Sequence, residues 1–159
     1  MGKDKLTETF QSYIDDAKAE LKRVDHLIYV SLKYTRTVDV IRHVVQRMIN
    51  FFDYIIEGLL EEKKKTKEIS SLPNAPGLRC TNVKDLYKDE KIVEMINFYL
   101  MLRKIMRAKF EKDQEYRRHV AMTALCEDGT IYKLDIDVVQ EYYKSKLIGY
   151  QEYLESLIK

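Results

Sequence analysis

Glycine and proline are scarce in this chain, five and two among 159 residues. That scarcity excludes collagen-like, linker-like and low-complexity sequences. It also argues against an all-β fold, whose many turns consume both residues. No run of roughly 18 apolar residues occurs, so no segment has the length to span a bilayer as a helix. Met1-Gly2-Lys3-Asp4-Lys5-Leu6 has no apolar signal-peptide core, and the expected location is the cytoplasm. The two cysteines, Cys80 and Cys126, form no C-x-x-C pair, and there are only three histidines. A structural zinc site is not expected, and the thiols read as ordinary and reduced. P-loop, G-x-G-x-x-G, G-x-S-x-G and H-E-x-x-H motifs are all missing. No cofactor or metal is expected.

What is present is a charged, apolar-patterned chain. Basic side chains number 28 and acidic ones 26, a net charge of +2. Any nucleic-acid site must therefore be a local patch. Abundant Lys, Arg and Glu beside little Gln and Gly resemble thermophile usage.

The apolar spacing predicts helices. From Thr7 to Tyr34, Leu6, Phe10, Tyr13, Ala17, Leu21, Val24 and Ile28 recur at steps of three and four. Thr35 and Thr37 are N-cap candidates for a second helix. There Val38, Ile41, Val45, Met48, Phe52, Ile55 and Leu59 hold a heptad seam, and Glu61 to Lys65 solvate its end. Ser70 to Thr81, with Pro73, Pro76 and Gly77, reads as irregular, followed by a helical turn from Val83 to Tyr87. Asp89 caps a third long helix, Glu90 to Phe110, apolar on most sides and expected at the centre. Around Glu115 the period changes. Arg117 to Leu134 reads as a hairpin turning at Glu127-Asp128-Gly129, with Val120, Met122 and Ala124 packed and His119 facing solvent or a ligand. Asp135 or Asp137 caps a last helix to Lys159. The expected fold is all-α: one domain, residues 1–159, an up-and-down bundle of four long helices with a short helix and a small β-hairpin before the last helix.

The candidate site is basic. Arg103 and Arg107 share a helix face, with Lys104 and Lys109 beside them. Arg117, Arg118 and His119 stand at the entry to the hairpin. A fold-back there would gather five to seven cationic groups at one end of the bundle. Guanidinium forks match phosphate oxygens, and Tyr99, Phe110 and Tyr116 are near enough in sequence to stack on bases. The alternative is that Arg103 and Arg107 pair with carboxylates. Arg36 and His43 fall outside the apolar seam and read as solvated. His26 reads as a core-edge histidine.

In Ala17 to Arg23, in Glu57-Gly58-Leu59-Leu60 and in Tyr99 to Phe110, the helix order resembles the HEPN superfamily. That resemblance implies an Arg-x(4–6)-His motif at the end of the third main helix, metal-independent RNA cleavage and a dimer. Arg103 would hold the Arg position, yet Ala108, Lys109 and Phe110 occupy the spacings where His belongs. From Arg107 the same spacings hold Lys112, Asp113 and Gln114. The expectation is a non-catalytic module binding RNA or a nucleotide. A metal-independent ribonuclease using His119 is one alternative. A protein-interaction or homodimerisation module, suggested by twelve tyrosines and the apolar third helix, is another.

Overall fold

A computed structural model describes residues 5–158. The leader expectation at Met1 to Asp4 and the last residue, Lys159, lie outside the described residues.

Thr7 caps the first helix through its own side chain, which accepts from the Thr9 amide at 3.3 Å. This helix, α1, comprises Glu8–His26, a π-helical turn Leu27–Ser31, and Leu32–Tyr34. Its buried stripe is the expected one except at Tyr13, which is half-buried, with Ile14 and Leu32 added. After a three-residue connector, Thr37 caps α2, Val38–Lys65, by accepting from the Val40 amide at 3.2 Å. The two helices run antiparallel and pack closely. Gly58 makes that approach possible: a Cβ there would lie 2.7 Å from the Tyr13 Cβ and 2.8 Å from the Phe10 ring.

The central helix is α2, not the third long helix. Fourteen of its residues are buried, and it touches every other helix as well as the sheet. It also receives the start of α1. Glu62, 7% exposed, accepts from the Thr7 amide at 2.9 Å and the Thr7 hydroxyl at 2.5 Å. A carboxylate at the positive end of a helix is favourably placed.

Part of the expected irregular stretch is helical. Pro76 begins α3, Pro76–Leu86, in place of a turn limited to Val83–Tyr87. Proline breaks a helix interior but fits its first turn, where the missing N–H would be unpaired anyway. Tyr87 follows and donates to the Leu59 carbonyl at 2.6 Å, tying this segment to α2.

Asp89 caps α4, Glu90–Arg107, by accepting from the Lys91 and Ile92 amides at 2.9 and 3.2 Å. The helix stops short of the expected Phe110, because Ala108 is extended (φ −73°, ψ 155°). Lys109–Asp113 instead forms a strand, β1. Arg42 of α2 fixes this corner. Its guanidinium donates to the Met106 carbonyl at 3.4 Å and lies 4.2 Å from the Phe110 ring centroid.

The expected hairpin is part of a three-stranded antiparallel sheet in the order β1-β2-β3, with β2 at Ala121–Leu125 and β3 at Ile131–Asp135. A lone pair of strands is marginal in water, and β1 completes it. Asp113 pairs with Ala121, and Ala121 with Asp135. The turn is closed by the Gly129 amide on the Cys126 carbonyl at 3.0 Å, with Gly129 at φ +89°. Val120, Met122 and Ala124 are buried as expected, and Ala121 is buried with them. The strand starts at Ala121 rather than Arg117, because Arg117 to Val120 form a turn, the Val120 amide donating to the Arg117 carbonyl at 3.1 Å.

Asp135 caps α5 through the Val138 amide at 2.9 Å. This helix comprises Ile136–Tyr142, a π-helical turn Tyr143–Leu147, and Ile148–Ser156. Beyond Ser156 the chain bridges back to the start of α1, Leu6 pairing with Ile158 in parallel. The architecture is thus mainly helical, five helices with one small sheet. Among the described residues no helix is long and apolar enough to cross a membrane.

Candidate functional site

The expected basic cluster is divided by the sheet. Arg103 is half-buried on α4, its guanidinium 5.8 Å from the Tyr99 ring centroid. Tyr99 in turn donates to Asp53 of α2 at 2.6 Å, so the Arg103 charge acts beside a carboxylate. Lys104 is ion-paired with Asp128 in the hairpin turn. That hydrogen bond, with a second from the Thr130 amide, holds the Asp128 carboxyl well below the usual carboxylate range. Arg107 and Lys109 are exposed where α4 gives way to β1.

Arg117, Arg118 and His119 are exposed at the far end of the strands. β1 runs from Lys109, opposite Leu125, to Asp113, opposite Ala121. At about 3.3 Å per residue its five residues carry the chain roughly 13 Å away from α4. His119 lies beyond that end, so the structure does not bring it to Arg103 or Arg107. The loop before it is held against the start of α2 instead. The Tyr116 amide donates to the Arg36 carbonyl at 2.6 Å, and Glu115 accepts from the Val38 amide at 2.9 Å. Gln114 (φ 56°) and Tyr116 (φ 66°) take the left-handed conformation to make this bend. Arg118 and His119 thereby join Arg36 in a cavity of about 280 Å3. Asp135 and Asp137 form its other wall, so its charges are mixed.

A second basic cluster, not expected from sequence, lies between α1 and α2. Lys22, Arg23 and His26 of α1 face His43 and Arg47 of α2 across a cavity of about 300 Å3. Each set is at helical spacing, Lys22 to His26 and His43 to Arg47 being one turn apart. Glu20, 3% exposed, underlies them and pairs with Arg47 at 3.3 Å and Arg23 at 3.4 Å. One carboxylate thus orients two guanidinium groups. Leu27 completes the lining, and the surface of the cavity itself is mostly apolar, so the side-chain stems form its walls; counted by residue, three permanent cations stand against one acid. Periodicity assigned His43 and His26 singly to an outer face and a core edge. It could not reveal that these margins meet, because that depends on how α1 is docked on α2. The legible signal was the pair of i, i+4 basic couples on adjacent helices.

A third cavity, of about 420 Å3, lies between α1 and α5 and shares Lys22 with the second. Tyr143 forms one wall and donates to Asp25 at 3.0 Å. Burial, followed by this carboxylate, pushes the phenol up to about 12, so it remains a donor at neutral pH. Gln151 is 4% exposed, and neither amide atom has a hydrogen-bond partner among the described residues.

Both cysteines are buried free thiols, and burial pushes the Cys80 thiol up to about 11. No group of three or more His, Cys, Asp or Glu able to hold a metal ion occurs among the described residues. Comparisons with protein-family models, with curated proteins and with solved structures found no match to this chain.

Proposed function

We propose that this protein binds RNA or a nucleotide through its phosphates, without cutting it, at the end of the molecule where α1 turns into α2. One observation carries the reading: Lys22, Arg23, His26, His43 and Arg47 converge on a single cavity. Guanidinium and imidazole donors there match phosphate oxygens in geometry and charge. Two aromatic side chains support a nucleic acid over a simple anion. Tyr34 is 80% exposed and Tyr116 is 78% exposed, and both flank Arg36 at this end. Exposed rings of this kind stack on unpaired bases. Arg118 and His119 extend the same end; Arg103, Lys104, Arg107 and Lys109 contribute less, being remote from it. In this reading α1, α2, α4 and α5 act as an up-and-down bundle of HEPN-like type.

Two imidazoles in one cavity also favour a second reading, metal-independent RNA cleavage. His26 and His43 would then act as acid and base, since an imidazole can both give and take a proton.

Filter binding of single-stranded RNA across a salt series tests both. Phosphate contacts release counterions, so affinity should fall steeply with salt. The double variant Lys22→Ala, His43→Ala removes two exposed groups. It should bind about tenfold more weakly and with a shallower salt dependence, by about one power of salt concentration per lost phosphate contact. Arg103→Ala, Arg107→Ala should bind much as the parent does. An absence of RNA binding at low salt refutes the proposal. Cleavage without added metal, lost in His43→Ala, would favour the enzyme.

A further inference from the structure

The cavity between α1 and α2 has a second character besides its charge. Its inner surface is mostly apolar, and no carboxylate stands in its lining among the described residues. Lys22, Arg23, His26 and His43 are exposed and Arg47 is half-buried, so their polar ends reach toward water while their stems form the walls. A phosphate gains from the cationic rim and nothing from the interior, where apolar walls would strip its water without replacing it. A ligand that uses both parts has an apolar body joined to an anionic group.

The lining also says what kind of body. Arg23, His26, His43 and Arg47, four of its six residues, end in flat π-systems. Guanidinium and imidazole planes stack on the faces of nucleobases, whereas an alkyl chain has no face to offer them. Glu20 favours that use of the arginines. It meets the terminal guanidinium nitrogen of Arg47 at 3.3 Å and that of Arg23 at 3.4 Å. A carboxylate engages a guanidinium at its N–H edge and leaves its faces for stacking. Leu27 opens the π-helical turn Leu27–Ser31, its amide shared between the Arg23 and Val24 carbonyls. Such turns are rare and frequently lie at functional sites. The volume, about 300 Å3, is at the small end of the range for ligand pockets.

We propose that this cavity takes the base of an unpaired nucleotide, seated on Leu27 among the flat side chains with its phosphates at the cationic rim. The protein accordingly selects single-stranded RNA over duplex RNA, whose bases are stacked inside the helix. The phosphate half rests on the reading above; the base half rests on the apolar interior and its flat lining groups.

Fluorescence anisotropy on the full chain tests it with three RNA probes. They are an unstructured strand carrying all four bases, an abasic strand of equal length, and the duplex of the first with its complement. The single strand should bind roughly tenfold or more tightly than either of the others. Leu27→Ala removes the apolar floor, and His43→Lys keeps a cation at an exposed site but removes its ring. Each should reduce the preference for bases severalfold without weakening the abasic strand. An abasic strand or a duplex that binds as tightly as the single strand would overturn the base pocket and leave the phosphate reading intact. Binding of none of the three would overturn both. A preference kept intact in both variants would place the base elsewhere, at Tyr34 or Tyr116, and overturn the pocket. Octanoate displacing the single strand more readily than UMP does would overturn the base in favour of an acyl chain.

Discussion

Glycine 58 is where a single hydrogen atom sets the distance between two helices. A methyl group at that position would meet the Tyr13 Cβ and the Phe10 ring within 3 Å. The first of these is anchored to the α1 backbone and cannot swing away. Gly58→Ala gains helix propensity, worth about 1 kcal/mol, but must push α1 off α2. Overpacking typically costs about 1–3 kcal/mol, and here it should win. Urea denaturation should show a net loss of about 1–2 kcal/mol, with an unchanged m value. An equal or higher midpoint would mean that α1 yields easily. The buried acids illustrate what a sequence conceals at this scale. Glu20 and Glu62 look like ordinary solvated helix residues, yet each is buried because a partner from another helix satisfies it. Arg47 and Thr7 are 27 and 55 residues away, and no local pattern encodes such meetings.

Elements were legible where local signals agree with burial. The cap residues Thr37, Asp89 and Asp135 and the seam of α2 stand where spacing and side-chain chemistry place them. Two elements were not. Pro76 signals a break or a start with equal force, and only the helical register after it decides. Lys109 to Asp113 is polar and lacks β-branched residues; it becomes a strand because β2 offers it a partner. The hairpin turn, by contrast, was visible in Asp128-Gly129. Gly129 has φ +89° and nothing within 4 Å of an added Cβ, so a substitution there meets backbone strain alone. Gly129→Val should therefore cost about 1–2 kcal/mol, lowering the melting temperature by roughly 3–6 °C. Calorimetry reads this directly. An unchanged melting temperature would show that the turn relaxes to negative φ without loss.

For the molecule as a whole, helical class was within reach of the sequence, but the grouping of its basic side chains was not. Arg103 and His119 are separated by a strand whose first two residues, Lys109 and Phe110, pattern analysis assigned to helix, while His26 and His43 line one cavity between helices whose docking no motif records. The bridge between Leu6 and Ile158 has a consequence of a different kind. The Leu6 amide donates to the Leu157 carbonyl at 2.8 Å, so the two extremities of the described chain are neighbours. Order along the polypeptide is then separable from arrangement in space. A short glycine-serine tether could join these extremities, and new ones could be opened between Ser70 and Ser71, both exposed in the stretch before α3. Such a circular permutant breaks no helix or strand, and should unfold cooperatively with the parent's circular dichroism spectrum. Loss of that spectrum would mean that continuity from α2 into α3 is itself required for folding.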